Sequence, residues 1–251
     1  MARNILKEIC DRRLEDIKAK GFSYGHAIPE KRTRPVVPFL PKPGTILEVK
    51  RASPSKGDIA PDLDAVKTAL SYISAGTSAI SVLTEENYFK GSLEDLIAVA
   101  AAAGEKAAVL RKDFLLEPEE IEIAYRCGAD AVLLIARILE TGKLLEMATR
   151  AFSLGLSILL ELRDEEAVDK AVKVLELADR MNACDKVVLG INARDLKTFQ
   201  IDMLIPLRIK VMIEEKTASK GNVRVISESG VLSPEAAAFT ARLGFQGILI
   251  G

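Results

Sequence analysis

Glu48 and Lys50 stand two residues apart near the end of an apolar run in the segment Ile46-Leu-Glu-Val-Lys-Arg-Ala-Ser-Pro-Ser-Lys-Gly57. Alternate side chains of a strand share a face, so this carboxylate and this amine emerge beside Ile46, opposite Leu47 and Val49. Four other apolar runs end in the same way. Lys112 and Asp113 follow Ala107-Ala-Val-Leu-Arg, Glu161 follows Ile158-Leu-Leu, Asn192 and Arg194 close Val187-Val-Leu-Gly-Ile, and Glu228 and Ser229 close Val223-Arg-Val-Ile-Ser. An ionisable group buried alone costs several kcal/mol, so these side chains should meet one another or a ligand. Two lysines and several carboxylates at one mouth would supply both proton donors and acceptors; the same set would also serve as plain ion pairs closing that mouth.

Such convergence needs many strands ending on one side. Short β-branched or leucine-rich runs recur at Thr45–Lys50, Ala79–Thr84, Ala107–Lys112, Ala131–Ile135, Ser157–Leu162, Val187–Asn192, Val223–Ser227 and Gly247–Gly251, with helix-like stretches between them. Eight such βα repeats, with no Gly-x-Gly-x-x-Gly turn after the first strand, predict an α/β fold of the closed (β/α)8 type, a TIM barrel. Helix starts are marked by the capping box Ser92-Leu-Glu-Asp, by Pro118 and by Ser233-Pro-Glu. Residues 5–19 predict an amphipathic helix with Ile5, Leu6, Ile9 and Ile17 on one stripe, placed to plug or cap the barrel. The proline-rich piece Arg34–Gly44 reads as a lead-in to the first strand. The expected organisation is one barrel domain over 1–251, with residues 1–44 as an N-terminal helical extension and 45–251 as the barrel.

Composition narrows the classes. Of 251 residues 49% are apolar, and Lys+Arg 35 against Asp+Glu 36 gives a net charge of -1, which argues against nucleic acid or a membrane surface as partner while leaving room for a cationic pocket and an anionic small substrate. Three cysteines without metal-ligand spacing and a single histidine support neither a disulfide framework nor a His-rich metal site. His26 reads as a surface or capping residue. No apolar run reaches membrane-spanning length and no signal-peptide core opens the chain, so the expected location is the cytoplasm.

The blocks Glu48-Val-Lys-Arg-Ala-Ser-Pro-Ser-Lys-Gly, Val109-Leu-Arg-Lys-Asp-Phe, Gly190-Ile-Asn-Ala-Arg-Asp-Leu and Ser227-Glu-Ser-Gly, in this order, resemble the indole-3-glycerol phosphate synthase family. Ile80-Ser-Val-Leu-Thr-Glu, Tyr88-Phe-Lys-Gly-Ser and Gly128-Ala-Asp-Ala-Val-Leu-Leu-Ile extend the resemblance along nearly the whole chain. It implies a lyase of tryptophan biosynthesis that closes the ring of 1-(2-carboxyphenylamino)-1-deoxyribulose 5-phosphate, losing carbon dioxide and water, with no metal or organic cofactor. By resemblance Lys112 is the general acid at the ribulose carbonyl and Glu161 the acid/base of dehydration. Lys50 assists, Glu48 orients the lysines and Asn192 holds hydroxyls of the intermediate. Phe89, Phe114 and Leu133 would hold the anthranilate ring, Arg194 would edge the site, and Glu228 and Ser229 would complete its polar wall. Ser53 would sit in a mobile lid or contact a substrate anion. Ser229, Gly230 and Gly251 would bind the phosphate.

Departures from the resemblance accompany it. Relatives continue past the eighth strand with a Gly-Ser or Gly-Thr turn and a final helix, so a chain ending at Gly251 is expected to be incomplete, lacking that helix, half the phosphate cradle and the cover over strands eight and one. Ala193 and Arg163 stand where relatives carry a polar residue and a histidine or asparagine, and Leu175–Lys186 is long for a connection between strands five and six. Two other functions fit the same residues: a Schiff-base lysine aldolase on this barrel, and a phosphate-binding barrel fragment with impaired catalysis. The resemblance also implies association with neighbouring tryptophan-pathway enzymes.

Overall fold

The protein is described by a computed structural model covering residues 4–195, 200–218 and 223–251. Its elements in chain order are α1 (Ile5–Lys20), β1 (Gly44–Val49), β2 (Ala52–Ser53), β3 (Gly57–Asp58), α2 (Ala65–Ser74), β4 (Ala79–Leu83), α3 (Leu93–Ala103), β5 (Ala108–Lys112), α4 (Glu119–Arg126) and β6 (Ala131–Ile135), then α5 (Thr141–Ser153), β7 (Ser157–Leu162), α6 (Glu165–Arg180), β8 (Val187–Asn192), α7 (Ile205–Thr217), β9 (Arg224–Glu228), α8 (Pro234–Arg242) and β10 (Gly247–Ile250). Apart from the small antiparallel pair β2–β3, the strands form one closed parallel barrel in chain order, as the repeat of βα units predicts.

The two-residue period of each strand sorts its side chains into two cores. Ile46, Leu110, Leu133, Leu159, Val188, Ile226 and Leu249 face the barrel interior, while Ile80, Val109, Val132, Leu134, Leu160, Leu189 and Val225 face the surrounding helices. Helix starts follow local chemistry: the Ser92 and Ser233 hydroxyls accept the amides of Asp95 (3.1 Å) and Ala236 (3.2 Å). Pro118 precedes α4 without a side-chain cap. The long stretch between the fifth and sixth barrel strands extends α6 to Arg180 and adds a 3-10 turn at Cys184–Lys186.

The seam expected to be weak is paired. Gly44, Thr45, Ile46 and Leu47 register with Gly247, Ile248, Leu249 and Ile250, closing β1 on β10. Outside this seam the cover is thin: Leu47 and Ile250 are half-buried, α8 buries only Thr240, and Phe239 is exposed.

The N-terminal segment packs against both ends of the barrel. At one end Phe39 and Leu40 fill the opening, their carbonyls accepting Arg224 at 3.1 and 2.7 Å. At the other, α1 sends Ile5, Leu6 and Ile9 into the inner core beside Phe114, and its Arg13 pairs with Asp113 and, at 3.2 Å, with Glu120. Among the described residues no helix is long and apolar enough to cross a membrane.

Asp130, with no exposure, ties the lead-in to the barrel by accepting Arg32 (2.6 Å), Arg34 (2.7 Å) and the amides of Val37 (2.9 Å) and Val109 (2.8 Å). Removing one partner of a buried ion pair leaves its charge uncompensated. Asp130→Ala is therefore expected to lower unfolding free energy by about 3–5 kcal/mol, measured by urea denaturation; a midpoint unchanged from the parent would contradict this role.

Candidate active site

At the carboxyl ends of the strands the inward faces stop being apolar. Glu48 on β1 accepts Lys50 through Oε1 at 2.6 Å, and through Oε2 meets the Lys112 ammonium of β5 at 3.4 Å and the Ser81 hydroxyl of β4 at 3.3 Å. Glu161 on β7 and Glu228 on β9 complete the ring, both almost fully buried. Asn192, at the end of β8, is held on every side. Its amide donates to Glu161 at 3.1 Å, its side-chain oxygen accepts the Arg194 amide (2.9 Å) and the Ser229 hydroxyl (3.0 Å), and its carbonyl accepts Arg163 at 2.7 Å.

The electrostatics separate these groups into different protonation states. Burial opposes charge on Glu48, but Lys112 and Lys50 more than offset it and hold the carboxyl below its ordinary range. Burial likewise opposes charge on Lys112, yet Glu48, Glu228 and Glu161 together raise its pKa, so it is a firm ammonium. Glu161 is raised by burial against the pull of Lys112, the Asn192 amide and Arg163. Glu228 is pushed up to about 8 by burial and by the nearby Glu161, and among the described residues neither of its oxygens has a hydrogen-bond partner. Such a spread gives one site an acid and a base at the same pH. Gly190 leaves room for this arrangement: a Cβ there would displace the Glu228 carboxylate from its place.

Around these charges lies a cavity of about 170 Å3, room for a multi-atom ligand. The structure brings every site residue named from the sequence to its lining: Glu48, Lys50, Ser53, Phe89, Lys112, Phe114, Leu133, Glu161, Asn192, Arg194, Glu228, Ser229, Gly230 and Gly251. Phe89, in the loop after β4, and Phe114, after β5, form an apolar wall with ring centroids 6.0 Å apart and planes tilted by 38°. Ser53 lies in β2 of the small hairpin, which sequence patterning did not reveal. Leu196, the last residue of the Gly190 block, lies outside the described residues.

One expectation changes. Asp113, grouped by sequence with the converging acids, turns its carboxylate outward to Arg13, Arg111 and Thr84; as the neighbour of Lys112 it takes the opposite face. His26, expected at the surface or in a cap, is partly exposed and sits between the carboxylates of Glu86 and of Glu94 in the first turn of α3, whose hydrogen bonds outweigh burial and raise its pKa. Sequence reasoning missed Ser81, Arg163 as a clamp on Asn192, and Glu85. Ser81 was legible, since it shares the inward parity of Ala79; the other two depend on loop geometry. Among the described residues, no group of three or more histidines, cysteines and carboxylates could hold a metal ion.

The model of the indole-3-glycerol phosphate synthase family matches residues 28–251. The indole-3-glycerol phosphate synthase of Bacillus thuringiensis (strain Al Hakam) is 37% identical over 250 residues, covering 98% of this chain and 91% of the relative. That of Bacillus mycoides (strain KBAB4) is 36% identical over 247 residues, with the same coverage of 98% and 91%. That of Carboxydothermus hydrogenoformans is 40% identical over 210 residues, or 84% of this chain and 73% of the relative. With the family model spanning the barrel and these relatives aligned over most of their length, the chain belongs to the indole-3-glycerol phosphate synthase family.

Proposed function

We propose that the chain is an indole-3-glycerol-phosphate synthase, a carboxy-lyase that closes the indole ring of 1-(2-carboxyphenylamino)-1-deoxyribulose 5-phosphate with decarboxylation and dehydration, in tryptophan biosynthesis. The observation that carries this reading is the Lys112 ammonium, held among three carboxyls directly beside an apolar wall of aromatic size. Attack of the aryl carbon on the ribulose carbonyl develops negative charge on oxygen, and a fixed ammonium both stabilises that charge and gives it a proton. Lys112 takes that role. Loss of the hydroxyl as water then needs a proton removed and one supplied; Glu161, held by Asn192, is the acid/base group, with Lys50 assisting and Glu48 orienting both lysines. Phe89, Phe114 and Leu133 take the anthranilate ring, and Ser53, Arg194, Glu228, Ser229, Gly230 and Gly251 line the remainder, the last glycines and Ser229 nearest the phosphate.

A Schiff-base aldolase is the less fitting alternative. Imine formation needs a neutral amine, and amines used in this way are brought down by desolvation or a neighbouring cation; Lys112 is pushed the other way by its carboxylates. The substrate is a small phosphorylated molecule, and we place the reaction in the cytoplasm, where neighbouring enzymes of the pathway could associate with it.

Lys112→Ala is expected to lower kcat by at least about 100-fold, the low end for a lost general acid, in an assay of indole fluorescence. Its melting temperature should stay near that of the parent, because Glu48 keeps Lys50 as its cation and Glu161 takes up a proton when the Lys112 charge is removed; near-normal turnover would remove Lys112 from the mechanism. In Glu161→Gln dehydration should slow and the ring-closed intermediate accumulate in a quenched reaction. Since Glu161 must be ionised to accept a proton and its pKa is raised, the parent's rate should fall on acidification from above the ordinary carboxylate range, and this acid limb should vanish in the variant. A limb that persists unchanged would assign it to another group.

A further inference from the structure

Glu85 follows β4, carries no contact with the cavity and is 4% exposed, a poor place for a carboxylate unless it is satisfied. It is satisfied by the backbone of its own loop. Oε1 accepts the amide of Asn87 at 3.0 Å, and Oε2 accepts those of Tyr88 at 2.7 Å and Phe89 at 3.0 Å. Its carbonyl accepts Gly91 at 2.9 Å, and a Cβ at Gly91 would run into the backbone of Leu83, so the loop closes tightly on itself. The loop is also fastened to the strand-one side of the mouth: the Phe89 carbonyl accepts the Ala52 amide at 3.2 Å and the Lys90 carbonyl accepts Arg51 at 3.2 Å. The one large apolar side chain that this arrangement presents to the cavity is Phe89, tilted against Phe114.

We propose that Glu85 is a positioning residue for the reaction: by gathering the amides of Asn87, Tyr88 and Phe89 onto one buried carboxylate, it fixes the Phe89 ring as a wall of the aryl pocket and so sets how tightly the substrate's benzoate ring is held. This rests on the reading that Phe89 and Phe114 receive that ring. Three N–H donors converge on Glu85, and a carboxylate can accept all three. A glutamine in its place would turn an NH2 toward at least one of the same donors, releasing the loop without changing side-chain volume. No proton transfer depends on Glu85, so the effect falls on binding and not on chemistry.

The test is a double-mutant cycle on KM and kcat with Glu85→Gln, Phe89→Leu and both together, each with its melting temperature. Glu85→Gln should raise KM about tenfold while kcat changes less than about threefold, a pattern of lost uniform binding. Phe89→Leu should raise KM similarly, and the double variant no further than either alone, because both remove the same wall. A residue that only stabilises the loop would lower the melting temperature and leave KM alone, and that outcome, or KM increases that multiply in the double variant, would overturn the proposal. If Glu85→Gln does not fold, Glu85→Asp, which keeps the charge but retracts it by one carbon, enters the same cycle with the same criteria. An unchanged KM in Phe89→Leu would instead sink the aryl-pocket reading, and the positioning role with it.

Discussion

A largely buried ammonium shared by three carboxyls is the constraint around which this barrel is arranged. Lys112 faces Glu48, Glu161 and Glu228, with Lys50 as the second cation on Glu48. Two cations cannot keep three close carboxylates ionised in so dry a place, and the imbalance settles on Glu228, whose pKa rises to about 8. The result is an ammonium, an ionised carboxylate and a protonated carboxyl within one ring, poised for opposite proton transfers without a histidine. The glycine at position 190 leaves space for the Glu228 carboxyl, and Asn192 uses its donor and acceptor ends to separate Glu161 from Ser229.

Such a ring is tolerable only on a scaffold whose lower interior is dry and whose strand ends are braced. The leucine and isoleucine layers under the charges supply the first condition, each fully buried side chain contributing about 1.5–3 kcal/mol. The N-terminal segment supplies the second from both sides. Phe39 and Leu40 seal the bottom. At the top, Arg13 of α1, stacked 4.1 Å over the Tyr24 ring, pairs with Asp113 and Glu120, so the residue after Lys112 is anchored to the extension rather than left free. Asp113 also accepts the Phe114 amide at 2.9 Å, linking that anchor to the aromatic wall.

What could be read from the sequence was whatever alternation or nearest-neighbour chemistry dictates. The inward parity of Glu48, Lys50, Lys112, Glu161, Asn192 and Glu228 follows from strand geometry alone, which is why the polar ring and the barrel were legible together. The caps at Ser92 and Ser233 are local hydrogen bonds and were legible for the same reason. The same alternation, applied one residue further, turns Asp113 outward, and that step was overlooked. The Arg13–Asp113 pair, the His26 bridge to Glu86 and Glu94, and the Asp130 knot join residues far apart in the chain, with no local pattern to announce them. The loop that folds around Glu85 and the hairpin carrying Ser53 are set by backbone hydrogen bonds that no periodicity encodes.

Catalysis on this barrel turns on Lys112 acting as a proton donor and not as a nucleophile. The most direct measurement is intact-mass and peptide analysis after treating the chain, during turnover of the ribulose phosphate substrate, with borohydride, which reduces and traps an imine. The structure predicts no adduct on Lys112 and no substrate-dependent loss of activity. A reduced substrate adduct mapped to Lys112 would contradict the account and point to Schiff-base chemistry on the same barrel.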